Sequence, residues 1–392
     1  MSAFSRSAGI IRCALLAVPL ACVAVPALGT DDQAVLPPLK TITTVASTVP
    51  GNGDVNPYGM AQVTRTIGNL RAGHILISNF NDSGNFQGTG TTIVDVSPDG
   101  HTSLFAALTA ADLPGSCPGG IGLTTALVVL KQGWVIVGSL PTANQGTVFT
   151  GPGCLIVLDS LGNPVETFYG SLINGPWDMT AFDGESEARL FVSNVLNGTV
   201  AAGGAVVHGG TVTRLNLKLS ATGMPTLQSI TIIGSGFPER TDPAALVIGP
   251  TGVGLRASCA GDPDDCAHWD ADKSDGSLLY VADTLGNRIT VIDRALTRDT
   301  SAGTGRTLSS GGSLNGPLGL VVTPTGTVLT VNGADGFITE ISPHGVQLHK
   351  TLLDNTGGPP PGAGTLFGLV FDPAAGVWFV DDGSNTLNLL HR

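Results

Sequence analysis

The stretch at 316–331, GPLGLVVTPTGTVLTV, has counterparts along the whole chain. DPAALVIGPTG at 242–252 matches it position for position, with Pro243 on Pro317 and Leu246 on Leu320. Looser copies begin with NPYGMAQV at 56, GGIGLTTALVV at 119, GPWDMTAF at 175 and TLFGLVFDPAAGVWFV at 365. The Pro317 position therefore falls at 57, 120, 176, 243, 317 and 366. Each copy leads into a β-rich run with a polar end (HILISN, WVIVGS, LFVSN, LLYVAD, VLTVN, VWFVDD), then a third strand such as TTIVDVSPDG or RITVID, and usually a fourth. One four-stranded sheet cannot bury both its faces, but six packed radially bury one another. The repeat thus predicts an all-β fold, a six-bladed β-propeller. Its glycines suit tight turns and close backbone approach near the axis.

Composition agrees. With 55 Gly, 25 Pro, 42% hydrophobic and 12% charged residues, the 392-residue chain is neither disordered nor rich in long helices. The net charge of −12, with Lys and Arg scattered, argues against nucleic-acid partners.

The ends of the repeat array predict how the ring closes. The last copy supplies three strands, near GLVFD, GVWFVD and TLNLLH. LKTITTVAST at 39–48 is a strand with no blade of its own and can supply the missing outer strand. Such an N-terminal strand closes the ring without an open seam.

Upstream, Arg6 and Arg12 precede CALLAVPLACVAVPALG, whose ALG end offers small residues for cleavage. Residues 1–29 read as a secretory signal peptide, leaving 30–392 as one propeller domain, secreted or periplasmic and monomeric. Pro19 and Pro26 break the run of about 20 apolar residues that a retained anchor needs. Four cysteines then remain, and their even number in an exported chain suggests two disulfides, Cys117 with Cys154 and Cys259 with Cys266. CxxC pairs are absent, so zinc is not indicated.

YVADTLGNRITVID at 280–293 resembles the NHL-repeat signature: a strand ending in Asp, a turn with Asn-Arg, and an Ile-rich strand. The resemblance to NHL-type six-bladed propellers extends over most of 40–391, and more distantly to gluconolactonase-like hydrolases and streptogramin-type lyases. It implies a top face, formed by loops entering each innermost strand and by loops between strands two and three. Ligands of such propellers usually bind there, near the axis.

The strand two-to-three loops are long in blades 1 to 3, which predicts a recess on that side of the top face. The expected ligand-binding set is Trp177, Asp178, Tyr58, Phe367, Asn194, His208 and Asp283, with Asn79, Asn81, Asp82 and Asp382 nearby. Trp177 and Asp178 stand where other copies have a small or aliphatic residue and then Gly. An aromatic beside a carboxylate suits sugars, amines or peptides. For Asn79, Asn194 and Asp283 the plainer alternative is that they cap turns.

Blade 4 carries an insertion between its first two strands, on the opposite face by the same resemblance. Its DADKSDG places Asp270, Asp272 and Asp275 in a pattern resembling a calcium loop, although the spacing departs from an EF-hand and no Glu follows. A solvated acidic loop with no cofactor is the alternative.

Catalytic signatures of the resembled enzymes are missing. No Glu precedes Glu166, so the early Glu of the lactonases has no counterpart, and no E-x-H of the lyases occurs. His208 and Glu239 are the remaining acid–base pair on the expected top face. The sequence therefore favours a scaffold that binds a small ligand or a protein through its top face. A lyase or hydrolase working at the axial top pocket is the alternative.

Overall fold

The computed structural model describes residues 33–220, 223–243, 245–257 and 275–392. The expected signal peptide, Cys259, Cys266, Asp270 and Asp272 lie outside these residues. The described chain is a six-bladed propeller with no helix.

Blade 1 runs outward through Val55–Gln62, Ile75–Asn81, Thr92–Val96 and Thr102–Ala107. Blade 2 is Leu123–Val129, Val135–Ser139, Cys154–Leu158 and Pro164–Phe168. Blade 3 is Pro176–Asp183, Glu187–Asn194, Val207–Ser220 and Gly223–Asp242, with a fifth short strand, Leu246–Ile248. Blade 4 is Pro250–Arg256, Leu278–Asp283, Arg288–Asp293 and Arg306–Ser310. Blade 5 is Pro317–Val322, Val328–Asn332, Phe337–Ile341 and Gln347–Leu352. Blade 6 is Leu366–Asp372, Gly376–Asp381 and Thr386–His391, completed by Thr41–Ser47. That N-terminal strand pairs antiparallel with the last one, from Thr41 opposite His391 to Ser47 opposite Thr386.

The innermost strands touch in cyclic order, blade 6 against blade 1 included. Alternation along each strand sends apolar side chains to both faces of a blade, and a separate hydrophobic cluster fills each wedge between neighbours. Ahead of the closing strand, Leu36 and Leu39 enter the wedge between blades 5 and 6. The fully buried Glu340 holds this arm, accepting the Val35 and Leu36 backbone N–H groups at 2.7 and 2.9 Å and the Thr327 hydroxyl at 2.8 Å.

Two of the six expected repeat positions are corrected. The residue in the Pro317 position pairs with a polar residue at or near the end of the second strand, as Pro317 does with Asn332 and Pro57 with Asn79. In blade 4 that residue is Pro250, opposite Asp283, and in blade 2 it is Leu123, opposite Ser139. Pro243 and Leu246 belong instead to the end of blade 3, where Leu246–Ile248 folds back on 240–242. DPAALVIGPTG carries the proline-plus-apolar pattern twice, and strand pairing selects the second. The insertion of blade 4 still falls between its first and second strands.

Candidate functional site

The first turn of each inner strand sets the geometry of the axis. After the Pro317 position the strand register slips, between Pro57 and Gly59, Pro176 and Met179, Pro250 and Val253, Pro317 and Leu320, and Leu366 and Leu369. The slip brings backbone against the next blade. A Cβ on Gly252, Gly319 or Gly368 would collide with the carbonyl oxygen of Leu318, Phe367 or Tyr58 respectively. Blade 2 has a longer slip, from Leu123 to Leu127, with Thr125 at this level. Blade 3 has Asp178.

Asp178 is accommodated because its side chain turns toward blade 4, where one oxygen accepts the Val253 backbone N–H at 2.9 Å. Its own N–H donates to Ser193 Oγ at 3.1 Å, and Ser193 donates to the Thr251 carbonyl at 2.7 Å. Ser78 makes the same link from Gly59 N–H to the Thr124 carbonyl, at 3.1 and 2.7 Å. Burial pushes the Asp178 carboxyl up to about 7, against the opposing effect of the Val253 and Met179 amides.

Below Asp178 the axis holds a cavity of about 350 Å³. It runs from the level of Thr125, Gly319 and Gly368 to the strand one-to-two turns, where Gln62, Thr64, Lys131 and Asp183 line it. Asp183 accepts the Lys131 backbone N–H at 2.6 Å, and its Oδ1 is buried without a partner. Burial raises its carboxyl too, with the Lys131 amide opposing. These mouth residues were not expected from the sequence, because nothing in the repeat marks the turns they occupy.

Above Asp178 the axis is plugged. Tyr58 stacks on Phe367 at 3.9 Å between ring centroids and on Phe80 at 4.6 Å, with Trp177 tilted at 6.5 Å. Leu140, Leu246 and Val247 complete this cluster, and Trp177 is only 6% exposed. Trp177 is not the odd one out of its repeat position: Tyr58 and Phe367 follow the same pairing residue in blades 1 and 6. Trp177 and Asp178, expected to work side by side on the top face, thus face different spaces, the plug and the axial cavity. That cavity reaches the strand one-to-two turns, on the far side of the plug from the top recess.

The long loops of blades 1 to 3 do wall a recess on the top face, of about 580 Å³. Its walls include Gln87, the small hairpin Thr142–Ala143 and Val148–Phe149, and Val200, and Leu246 lies between it and the plug.

The other expected residues divide by role. Asn194 accepts the Asn174 N–H at 3.0 Å, and Asn79 donates to the Thr48 carbonyl at 3.2 Å. Asp283 pairs with Arg288 at 2.8 Å and accepts the Gly286 N–H at 3.0 Å. Asp82 caps the Gly84 and Phe86 amides, and Asn81 donates to Asn85. All five tie turns or loops within the fold. Asp382 lies by the plug, pushed up to about 7 by burial and by Asp381, and it helps burial raise the Tyr58 hydroxyl.

His208 is exposed whereas Glu239 is fully buried, and no hydrogen bond or ion pair joins them. Asp275 spends both oxygens on Ser277 and Thr297, whose hydrogen bonds outweigh burial and keep its carboxyl below the usual range. Among the described residues no cluster of His, Cys, Asp and Glu could hold a metal ion. Cys117 and Cys154 form a disulfide with Cα atoms 5.1 Å apart, joining the loop before blade 2 to its third strand.

No known protein-family profile matches the chain, and no curated protein does. Among solved structures it is similar to a gluconolactonase from Xanthomonas campestris, at 15% identity over 89% of this chain and 88% of that one, with a TM-score of 0.52. A streptogramin B lyase matches at 13% identity over 89% and 96%, TM-score 0.47. A regucalcin from Agrobacterium tumefaciens, described as calcium-binding, matches at 10% over 88% and 93%, TM-score 0.49. At these identities the likeness is one of fold alone.

Proposed function

We propose that this chain is an exported propeller that binds a small molecule in its axial cavity, with Asp178 receiving a cationic or hydrogen-bond-donating group. One observation carries the reading. The carboxylate that interrupts the ring of axial glycines lines a cavity of about 350 Å³, within the range of roughly 300–1,000 Å³ typical of small-molecule sites. Gln62, Thr64 and Lys131 at the mouth supply polar contacts for the rest of the ligand. The Cys117–Cys154 disulfide supports an oxidising compartment, in keeping with the signal-like residues 1–29. No helix among the described residues is long and apolar enough to cross a membrane.

A thermal-shift screen of small primary and secondary amines tests the site. Hits should raise the melting temperature of the parent and lose that effect in Asp178→Asn, which keeps the shape but not the charge. Hits that stabilise both proteins equally would place the ligand elsewhere.

A second reading, a lyase or hydrolase, is favoured by one fact: a carboxyl held near 7 can both accept and donate a proton at neutral pH. Turnover of a ligand from the screen, abolished in Asp178→Asn, would select it.

A further inference from the structure

We propose that residues 237–243 and 245–248, at the end of blade 3 beside the axis, form a gate that ionisation of Glu239 opens, uncovering the aromatic plug as a site for a flat apolar group entering from the top recess. The proposal concerns the opposite side of the plug from Asp178 and does not depend on the axial reading.

The gate is identifiable by what it covers. Leu246–Ile248 folds back on 240–242, so that Leu246 and Val247 pack into the cluster of Tyr58, Phe80, Trp177 and Phe367. Ala245 and Val247 border a small void beside Tyr58, Trp177 and Thr125. On its outer side the same segment lines the recess through Thr241, Pro243 and Leu246. The segment thus stands between the recess and the aromatic floor.

Two features make it a poor permanent lid. Leu246 has φ of 61°, the left-handed region, which is costly for a bulky side chain. Glu239 is 0% exposed, and its carboxyl has no side-chain hydrogen-bond partner, only the Asn197 backbone amide beside it. It lies opposite Val207, against Gly209, Gly249 and the Asn197 backbone. The side-chain nitrogen of Asn197 is itself buried without a partner. A buried ionised carboxylate in such surroundings is far costlier than the neutral acid.

No opposite charge compensates. The 195–206 loop and the 245–249 segment contain no ionisable side chain. On the paired strand the titratable neighbour is His208, which is exposed. On its own strand Arg240 pairs with Asp242 at 2.8 Å. Burial, eased only slightly by the Asn197 amide, lifts the Glu239 carboxyl to about 8.

The sign follows from linkage. The closed gate holds the proton more tightly than the open one, so closure is strongest below the ordinary glutamate value of 4.5 and weakens as pH rises to about 8. The opening constant should rise about tenfold per pH unit across that window and level off above it.

Hydrogen exchange of the amides in 237–243 and 245–248, corrected for intrinsic rates, tests this on the full protein. Protection should fall by about 100-fold or more between about pH 5.5 and pH 8.5. Glu239→Gln and the apolar Glu239→Leu should both remove that dependence, and either one suffices if the other fails to fold. Acrylamide quenching of Trp177, isolated by difference against Trp177→Phe, should rise over the same range, and so should binding of the neutral flat dye Nile red. Asp178 and Asp382 also titrate near 7 but flank the plug, so the Glu239 variants decide. Protection that is flat with pH in the parent, or that falls identically in both variants, overturns the gate. Dye binding unchanged by pH while the gate opens overturns the site.

Discussion

Asp178 is the residue at which local rule and global demand part. Four blades place glycine at the closest backbone approach, and a carboxylate is tolerated in blade 3 only by borrowing the Val253 amide of its neighbour. Its folded value, about 7, exceeds the ordinary 3.8, so the folded state binds its proton more tightly than the unfolded one. The stability this contributes is fully present below the ordinary value and is lost as pH rises to about 7. Asp178→Asn, which removes the ionisation but leaves an acceptor for Val253, should therefore be more stable than the parent at about pH 8, by roughly 2–4 kcal/mol, and indistinguishable at low pH. Urea unfolding at both pH values measures it. A protonated amine should prefer the ionised form, so its affinity should climb with pH up to about 7 and flatten beyond, which calorimetry reads directly. Asp178 was legible in the sequence because it breaks a pattern. That it and Trp177 serve opposite sides of one plug was not, since adjacent side chains on a strand diverge and the register slip at this point hides which goes where.

At the scale of strands and arms, the closing strand was readable because it was left over, a β-forming segment with no blade. Its anchor was not. Glu340 lies more than 300 positions from the amides it caps, at 305 from Val35, and nothing local announces such a contact. Glu340→Ala should strand two backbone amides and the Thr327 hydroxyl, costing about 2–4 kcal/mol in urea unfolding. Removing residues 33–48 altogether should cost far more, because a full antiparallel ladder goes with them. A truncated protein that melts like the parent would show that closure contributes little. The misplaced copies at 120 and 243 have a common cause. A proline or glycine before a short apolar run is a local signal, whereas membership of an inner strand depends on which residue lies across from it, 16 positions later for Leu123 and 33 for Pro250.

Among the described residues the molecule is held by six wedges, one N-to-C seam and one disulfide, Cys117–Cys154. The Cys117–Cys154 bridge spans 37 positions, and breaking it by Cys→Ser at both sites should cost about 3–4 kcal/mol through the freedom returned to the unfolded chain. A lower urea midpoint with a steeper slope, reporting a less compact unfolded chain, would identify that mechanism. The seam has a consequence of another kind. Thr43 contacts His391, 348 positions away, so the first strand of the propeller is translated long before its partner exists. Until the codons for Thr386–His391 are read it is an unpaired edge, because blade 6 still lacks the third strand it docks on. A product cut short before Thr386–His391 has open edges at two places, available to proteases.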